Sequence, residues 1–134
     1  YKCCTEGNFD KSICHNYHLD NNVQFIFTPK QITTMVLNNP FIKAVIFGGK
    51  EPMLDIYFED MVDVVNEIRK YSDMDIVIFT GYYENEVKSK IKKLKEFKNI
   101  IVKFGRFIPN KEKKYDEILG IYLANEEQYA VKIS

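Results

Sequence analysis

Two short runs built only of Ala, Val, Ile and Phe, AVIF at 44–47 and IVIF at 76–79, each stop at a glycine-containing turn and lead into a stretch of helical periodicity. This pattern constrains the fold more than any other feature of the chain. A brief apolar run bounded by glycine is the mark of a strand covered on both faces, as in a parallel sheet, and the helix that follows supplies the cover. A third run over 99–102 completes the order strand, turn, helix, strand, turn, helix, strand, which is the grammar of right-handed βαβ units.

The helical stretches can be placed from their ends and their apolar stripes. Thr28 reads as an N-cap and Pro29 as the first helical position, with Ile32, Met35 and Val36 on one face and Asn38-Asn39-Pro40 as the stop. The next helix starts near Leu54 or Asp55. Its Phe58, Met61, Val62, Val65 and Ile68 form one stripe, and Glu59, Asp63, Glu67 and Lys70 lie away from it. Glu84 to Phe97 predicts a third helix with Val87, Ile91 and Leu94 inward and lysines 88, 90, 92, 93 and 95 on a solvated side. Beyond Pro109 the run NKEKKYDE reads as a charged loop, and 118–124 with 129–133 as a final hairpin or an extended tail. The fold expectation is α/β: a partial (β/α) barrel or an open, mostly parallel sheet of about four or five strands with helices outside. One domain spans 1–134, with a cysteine-bearing loop over 1–22, a βα core over 23–109 and a C-terminal extension over 110–134.

Composition narrows the function classes. At 46% hydrophobic and 28% charged residues the chain is globular, and 134 residues suffice for a core without disulfide staples. Nineteen basic and nineteen acidic side chains cancel, which removes the long-range field of a nucleic-acid binder, so no nucleic-acid partner is expected. No apolar run approaches the roughly 20 residues of a membrane-spanning helix and no leader pattern opens the chain, so no membrane partner and a cytoplasmic location are expected.

Ligands to such sheets sit at the carboxyl ends of the strands. Gly48-Gly49-Lys50-Glu51-Pro52 and Thr80-Gly81-Tyr82 occupy two of those ends, and Gly105-Arg106 a third. Paired glycines let the backbone approach a ligand, and a carboxylate before a rigid proline sets one acceptor above the sheet, which suits a ligand bearing an ammonium group. The ordinary alternative is a βα turn whose Glu51 caps the next helix. Arg106 is placed to close over an anion, although one arginine after a strand is more often surface. Cys3, Cys4 and Cys14 lie in a stretch rich in Gly, Asn and Asp without periodicity; thiolates are soft ligands for zinc, copper(I) or iron–sulfur iron, and His15 or His18 could complete a zinc set.

Taken in order, these segments resemble the radical S-adenosylmethionine superfamily, and within it the small activating proteins of anaerobic ribonucleoside-triphosphate reductases. Cys14-His15-Asn16 resembles the last cluster cysteine of that family. Gly48 to Pro52 resembles its GGEP segment. Phe79-Thr80-Gly81-Tyr82, with Glu86 after it, resembles its YTGY and acidic helix start. Phe104 to Phe107 sits where the family has its next strand end, and Asn125 with Gln128 faintly echoes its C-terminal Ser-x-Asn-Gln segment. The resemblance implies a [4Fe-4S] cluster on Cys3, Cys4 and Cys14 and S-adenosylmethionine as cofactor. It further implies Gly48, Gly49, Glu51 and Pro52 at the methionyl end and Thr80, Gly81 and Tyr82 along the nucleoside. The activity implied is reductive cleavage to a 5′-deoxyadenosyl radical that makes a glycyl radical on a partner enzyme, with electrons from a flavodoxin- or ferredoxin-type donor.

The sequence departs from the family pattern twice. It has no CxxxCxxC, since nine residues separate Cys4 from Cys14, and Lys50 stands between Gly-Gly and Glu-Pro. A first cluster cysteine upstream of Tyr1 would repair the former. The alternatives from other classes are a non-catalytic binding module of the same fold and a zinc-bound structural domain.

Overall fold

The computed structural model describes residues 26–134. The three cysteines, both histidines and the loop read over 1–22 lie outside the described residues. Within them the element order is α1 (Pro29–Leu37), β1 (Ala44–Phe47), α2 (Asp55–Arg69), β2 (Asp75–Phe79), α3 (Lys88–Leu94), β3 (Ile100–Phe104), β4 (Lys114–Asp116), β5 (Ile121–Leu123) and β6 (Tyr129–Lys132).

The sheet is open, in the order β1-β2-β3-β6, with the first three strands parallel and β6 antiparallel to β3. Its two faces are built differently. Val45, Phe47, Ile76, Ile78, Ile100, Val102 and Phe104 face a core shared with α1, α2 and α3, in which the stripe expected on α2 is buried throughout. Val77, Ile101 and Ala130 face the other way and form a smaller cluster with Phe79 and Leu119. Among the described residues all three α-helices therefore cover one face of the sheet, which is open and not a closed barrel.

Local chemistry explains the element ends. Thr28 caps α1 through a reciprocal box, its hydroxyl accepting from the Gln31 N–H while the Gln31 side chain accepts from the Thr28 N–H, and Pro29 follows as the first helical residue. α2 starts at Asp55 after Leu54. Beyond its end, the Arg69 guanidinium donates to the carbonyls of Ser72, Lys98 and Asn99, tying the amino-terminal edge of the sheet together.

Four expectations need correction. Among the described residues β1 is not covered on both faces: it is an edge strand of alternating exposure there, and Ile46 is 61% exposed, because an apolar run reports strand character but not its place in the sheet. The third helix does not run from Glu84 to Phe97. A single turn of 3₁₀ helix over Glu84–Glu86 precedes a break at Val87, and α3 ends at Leu94. The charged run after Pro109 is not all loop, since Lys114–Asp116 forms β4. Finally, 118–124 and 129–133 do not pair with one another: β5 pairs with β4, and β6 pairs with β3.

Asp116 joins the hairpin to the sheet. Its buried carboxylate accepts from the Leu119 N–H at 2.9 Å and, through the other oxygen, from the Ala130 N–H at 2.8 Å. Asp116→Asn keeps the shape but replaces one acceptor by a donor facing an N–H, so urea unfolding should show a loss of about 2 kcal/mol. Faster amide exchange at Ala130 should accompany it, and an unchanged midpoint would remove Asp116 as the link.

Candidate functional site

The loops after β1, β2 and β3 meet at the carboxyl edge of the sheet, and one side chain joins the first two. Glu51 is 4% exposed. Its Oε1 accepts from the Thr80 hydroxyl at 2.7 Å and from the Met53 N–H at 3.0 Å, and its Oε2 accepts from the Gly81 N–H at 2.8 Å. Hydrogen bonds to an ionised acceptor are the stronger kind, and here three converge on one carboxylate. The Thr80 oxygen also accepts from the Tyr82 N–H, so the second loop is wound around the tip of Glu51. The Glu51–Met53 bond is the local cap that a βα turn would provide; the bonds to Thr80 and Gly81 reach across to the next strand.

The residues of Gly48 to Pro52 and Thr80 to Tyr82 are thus brought together by the fold. Gly48 and Gly49 are exposed at the end of β1, Gly49 with φ of 88°, a backbone that side chains disfavour. Thr80 is buried, and Pro52, Gly81 and Tyr82 are half-buried. A cleft of about 450 Å³ opens beside the first loop, with Phe27, Ile32, Phe47 and Met61 as apolar walls and Gly48, Lys50, Glu51 and Tyr57 among its polar lining. That volume lies in the range of small-ligand sites, and Asp60 and Asp63 add two further carboxylates to the lining.

The third loop is fastened to the second by Gly105. Its N–H donates to the Tyr82 carbonyl at 3.0 Å, and its carbonyl accepts from Gln128 Nε2 and Lys103 Nζ. Asn125, fully buried, donates to the Arg106 carbonyl and accepts from the Glu127 N–H. Asn125 and Gln128 therefore form a buckle that draws 125–128 onto the end of β3. Lys103 is buried on the sheet face away from the helices, paired in register with Phe79. Sequence reasoning missed it, because a lysine near a strand end reads as surface; its place between Val102 and Phe104 in an apolar strand was the available signal.

Arg106 does not wait for an external anion. Its guanidinium donates to both oxygens of Glu86, at 3.1 and 2.7 Å, and lies 4.8 Å from the centre of the Tyr83 ring. The Tyr83 hydroxyl in turn donates to Glu127 at 2.6 Å, which, with partial burial, holds the phenol above the usual tyrosine range. The Arg106 hydrogen bonds, followed by the Tyr83 N–H, hold the Glu86 carboxyl below the usual glutamate range.

A carboxyl whose folded pKa is lowered contributes stability above its unfolded value, near pH 4.3, and that contribution is lost as the pH falls through the folded value. Arg106→Gln should therefore cost about 1 kcal/mol near neutral pH, discounted for the partly exposed site, and the gap to wild type should close on acidification below about pH 4. A gap independent of pH in urea titrations would mean that ring stacking, not the ion pair, carries the effect.

No group of three or more His, Cys, Asp or Glu suited to a metal ion occurs among the described residues. The cysteine-bearing segment carries three thiols, a soft donor type that iron–sulfur iron takes. The model of a family described as a 4Fe-4S single cluster domain matches residues 5–123. The chain belongs to that family. Of the three cysteines only Cys14 falls within the matched span. No curated protein and no solved structure matches the chain. Among the described residues no helix is long and apolar enough to cross a membrane. An iron–sulfur family and cysteine thiols agree in donor chemistry.

Proposed function

We propose that this chain is a radical S-adenosylmethionine enzyme, an activase that installs a glycyl radical on a partner protein. The observation that carries the reading is the Glu51 carboxylate joining Gly48–Pro52 to Thr80–Tyr82 at the carboxyl edge of a parallel sheet, in a chain of a 4Fe-4S family. Cys3, Cys4 and Cys14, or two of these with a cysteine upstream of Tyr1, would hold the cluster, which would pass one electron from a flavodoxin- or ferredoxin-type donor to S-adenosylmethionine for cleavage of its sulfonium bond to methionine and the 5′-deoxyadenosyl radical.

The chain's own residues bind and orient. The exposed backbone at Gly48 and Gly49 lets the methionyl ammonium approach the end of β1. A carboxylate offers about four acceptor positions, and three donors already occupy Glu51, so one position remains for that ammonium while the others hold the loop. Thr80 to Tyr82 line the nucleoside side. Lys50, which lines the cleft beside Glu51, serves the carboxylate end of the ligand.

The test is the iron, zinc and acid-labile sulfide content of anaerobically prepared protein extended upstream of Tyr1, with electron paramagnetic resonance spectra before and after addition of S-adenosylmethionine. Iron and sulfide near about four each, a signal that shifts on addition and release of 5′-deoxyadenosine under dithionite are expected. Cys14→Ala should lose the iron. Zinc without sulfide, or no metal, would overturn the reading in favour of a structural zinc domain or a non-catalytic binding module.

A further inference from the structure

The five lysines of the α3 region do not form one solvated face. Lys90 reaches back to Asp55 and the Met53 carbonyl, and Lys93 pairs with Glu59, so these two fasten α3 to α2. Lys88, Lys92 and Lys95 follow one another at i, i+4 and i+7 on the opposite flank, over about 10 Å of helix. Their side chains are exposed and make no hydrogen bond or ion pair among the described residues. They wall a groove of about 580 Å³ whose floor includes Ile91 and Tyr129, with Glu84 as the one acid of its lining. Because α3 follows the Thr80–Tyr82 loop, the Lys88 end of the groove lies toward the carboxyl edge of the sheet, on the side of the Glu51 clamp.

We infer that this groove docks the acidic face of a protein electron carrier; the inference rests on the radical reading above and names the surface that reading requires. Three lysines without an ion-pair partner among the described residues, beside an apolar floor, complement a surface of carboxylates around an apolar contact. A carrier must arrive, deliver one electron and leave, and such encounters use small interfaces and charge steering in preference to extended apolar burial. In a chain of zero net charge the steering field must be local, and this flank supplies it.

The experiment titrates the full, iron-loaded chain with an oxidised flavodoxin as probe, by calorimetry at low and at physiological salt. K88E/K92E/K95E should weaken binding by about tenfold or more at low salt and remove most of the salt dependence. K88Q/K92Q/K95Q should fall between it and wild type, and circular dichroism melts verify that both variants fold. K111E/K113E/K114E, reversing three exposed lysines elsewhere, should bind as wild type. Equal losses in both reversals, or none in either, would overturn the inference. So would a K88E/K92E/K95E variant that binds the flavodoxin normally but loses retention of a single-stranded oligonucleotide, since the groove would then be a nucleic-acid surface. Dithionite bypasses the carrier: failure of dithionite-reduced wild type to cleave S-adenosylmethionine counts against the radical reading alone, while the flavodoxin titration is read independently of it.

Discussion

Glu51→Ala should lower the unfolding free energy by about 4 kcal/mol, because it strips three donors of their shared acceptor and opens a hole under the first two loops. Glu51→Gln sharpens the reading. With its carbonyl turned to Met53 and Thr80, its amide must face the Gly81 N–H, so one donor is stranded and roughly half the loss is expected. Thr80→Val, which removes one donor and leaves the Tyr82 N–H without its acceptor, should cost about 1–2 kcal/mol. Urea unfolding of the three variants in that rank order is the expected result. Equal and small effects would mean that the carboxylate is free for a ligand and does not hold the loops.

The second large effect is expected at Gly105. Its φ of 97° is unfavourable for any side chain, and a Cβ built there would stand 2.6 Å from the Glu127 carbonyl oxygen. Backbone cannot yield as a flexible side chain does, so Gly105→Ala should push 125–128 off the end of β3. It should cost about 3 kcal/mol or more. Raised amide exchange at Gly105, Glu127 and Gln128, with α2 unaffected, would locate the damage at the buckle. A variant as stable as wild type would show that the turn shifts freely.

Much of the fold was legible because it is local. The Thr28-Pro29 start, the stripe from Phe58 to Ile68 and the two apolar runs each carry their signal within a few residues, and each stands where the sequence puts it. What was not legible depends on pairings made far along the chain. Nothing in AVIF tells that, among the described residues, β1 has one neighbour and β2 two. Lys114–Asp116 has no apolar alternation, and its strand is set by pairing with 121–123 and by the Asp116 carboxylate gripping Ala130. Lys90 and Lys93 look like their neighbours in sequence, and only the packing of α3 against α2 separates them from Lys88, Lys92 and Lys95.

The site divides in the same way. The loops at Gly48–Pro52 and Thr80–Tyr82 could be placed together at the carboxyl edge from their glycines and their place after strands. Their bridge could not, since Glu51 and Thr80 are 29 residues apart and either could have capped its own turn. Arg106 and Glu86, 20 residues apart, were both noticed, but not as partners.

The buckle also bears on the order in which the molecule matures. A chain leaving the ribosome presents its N-terminal side first and folds as it emerges. β1, α2 and β2 hold everything the Glu51 clamp needs, whereas Gly105 waits for Asn125, Gln128 and β6, some of which pair with β3 only after the hairpin has been made. The carboxyl edge of the sheet is therefore assembled in two stages, with the first two loops set early and the third closed late. A nascent chain paused before residue 125 would carry a formed clamp with an open third side.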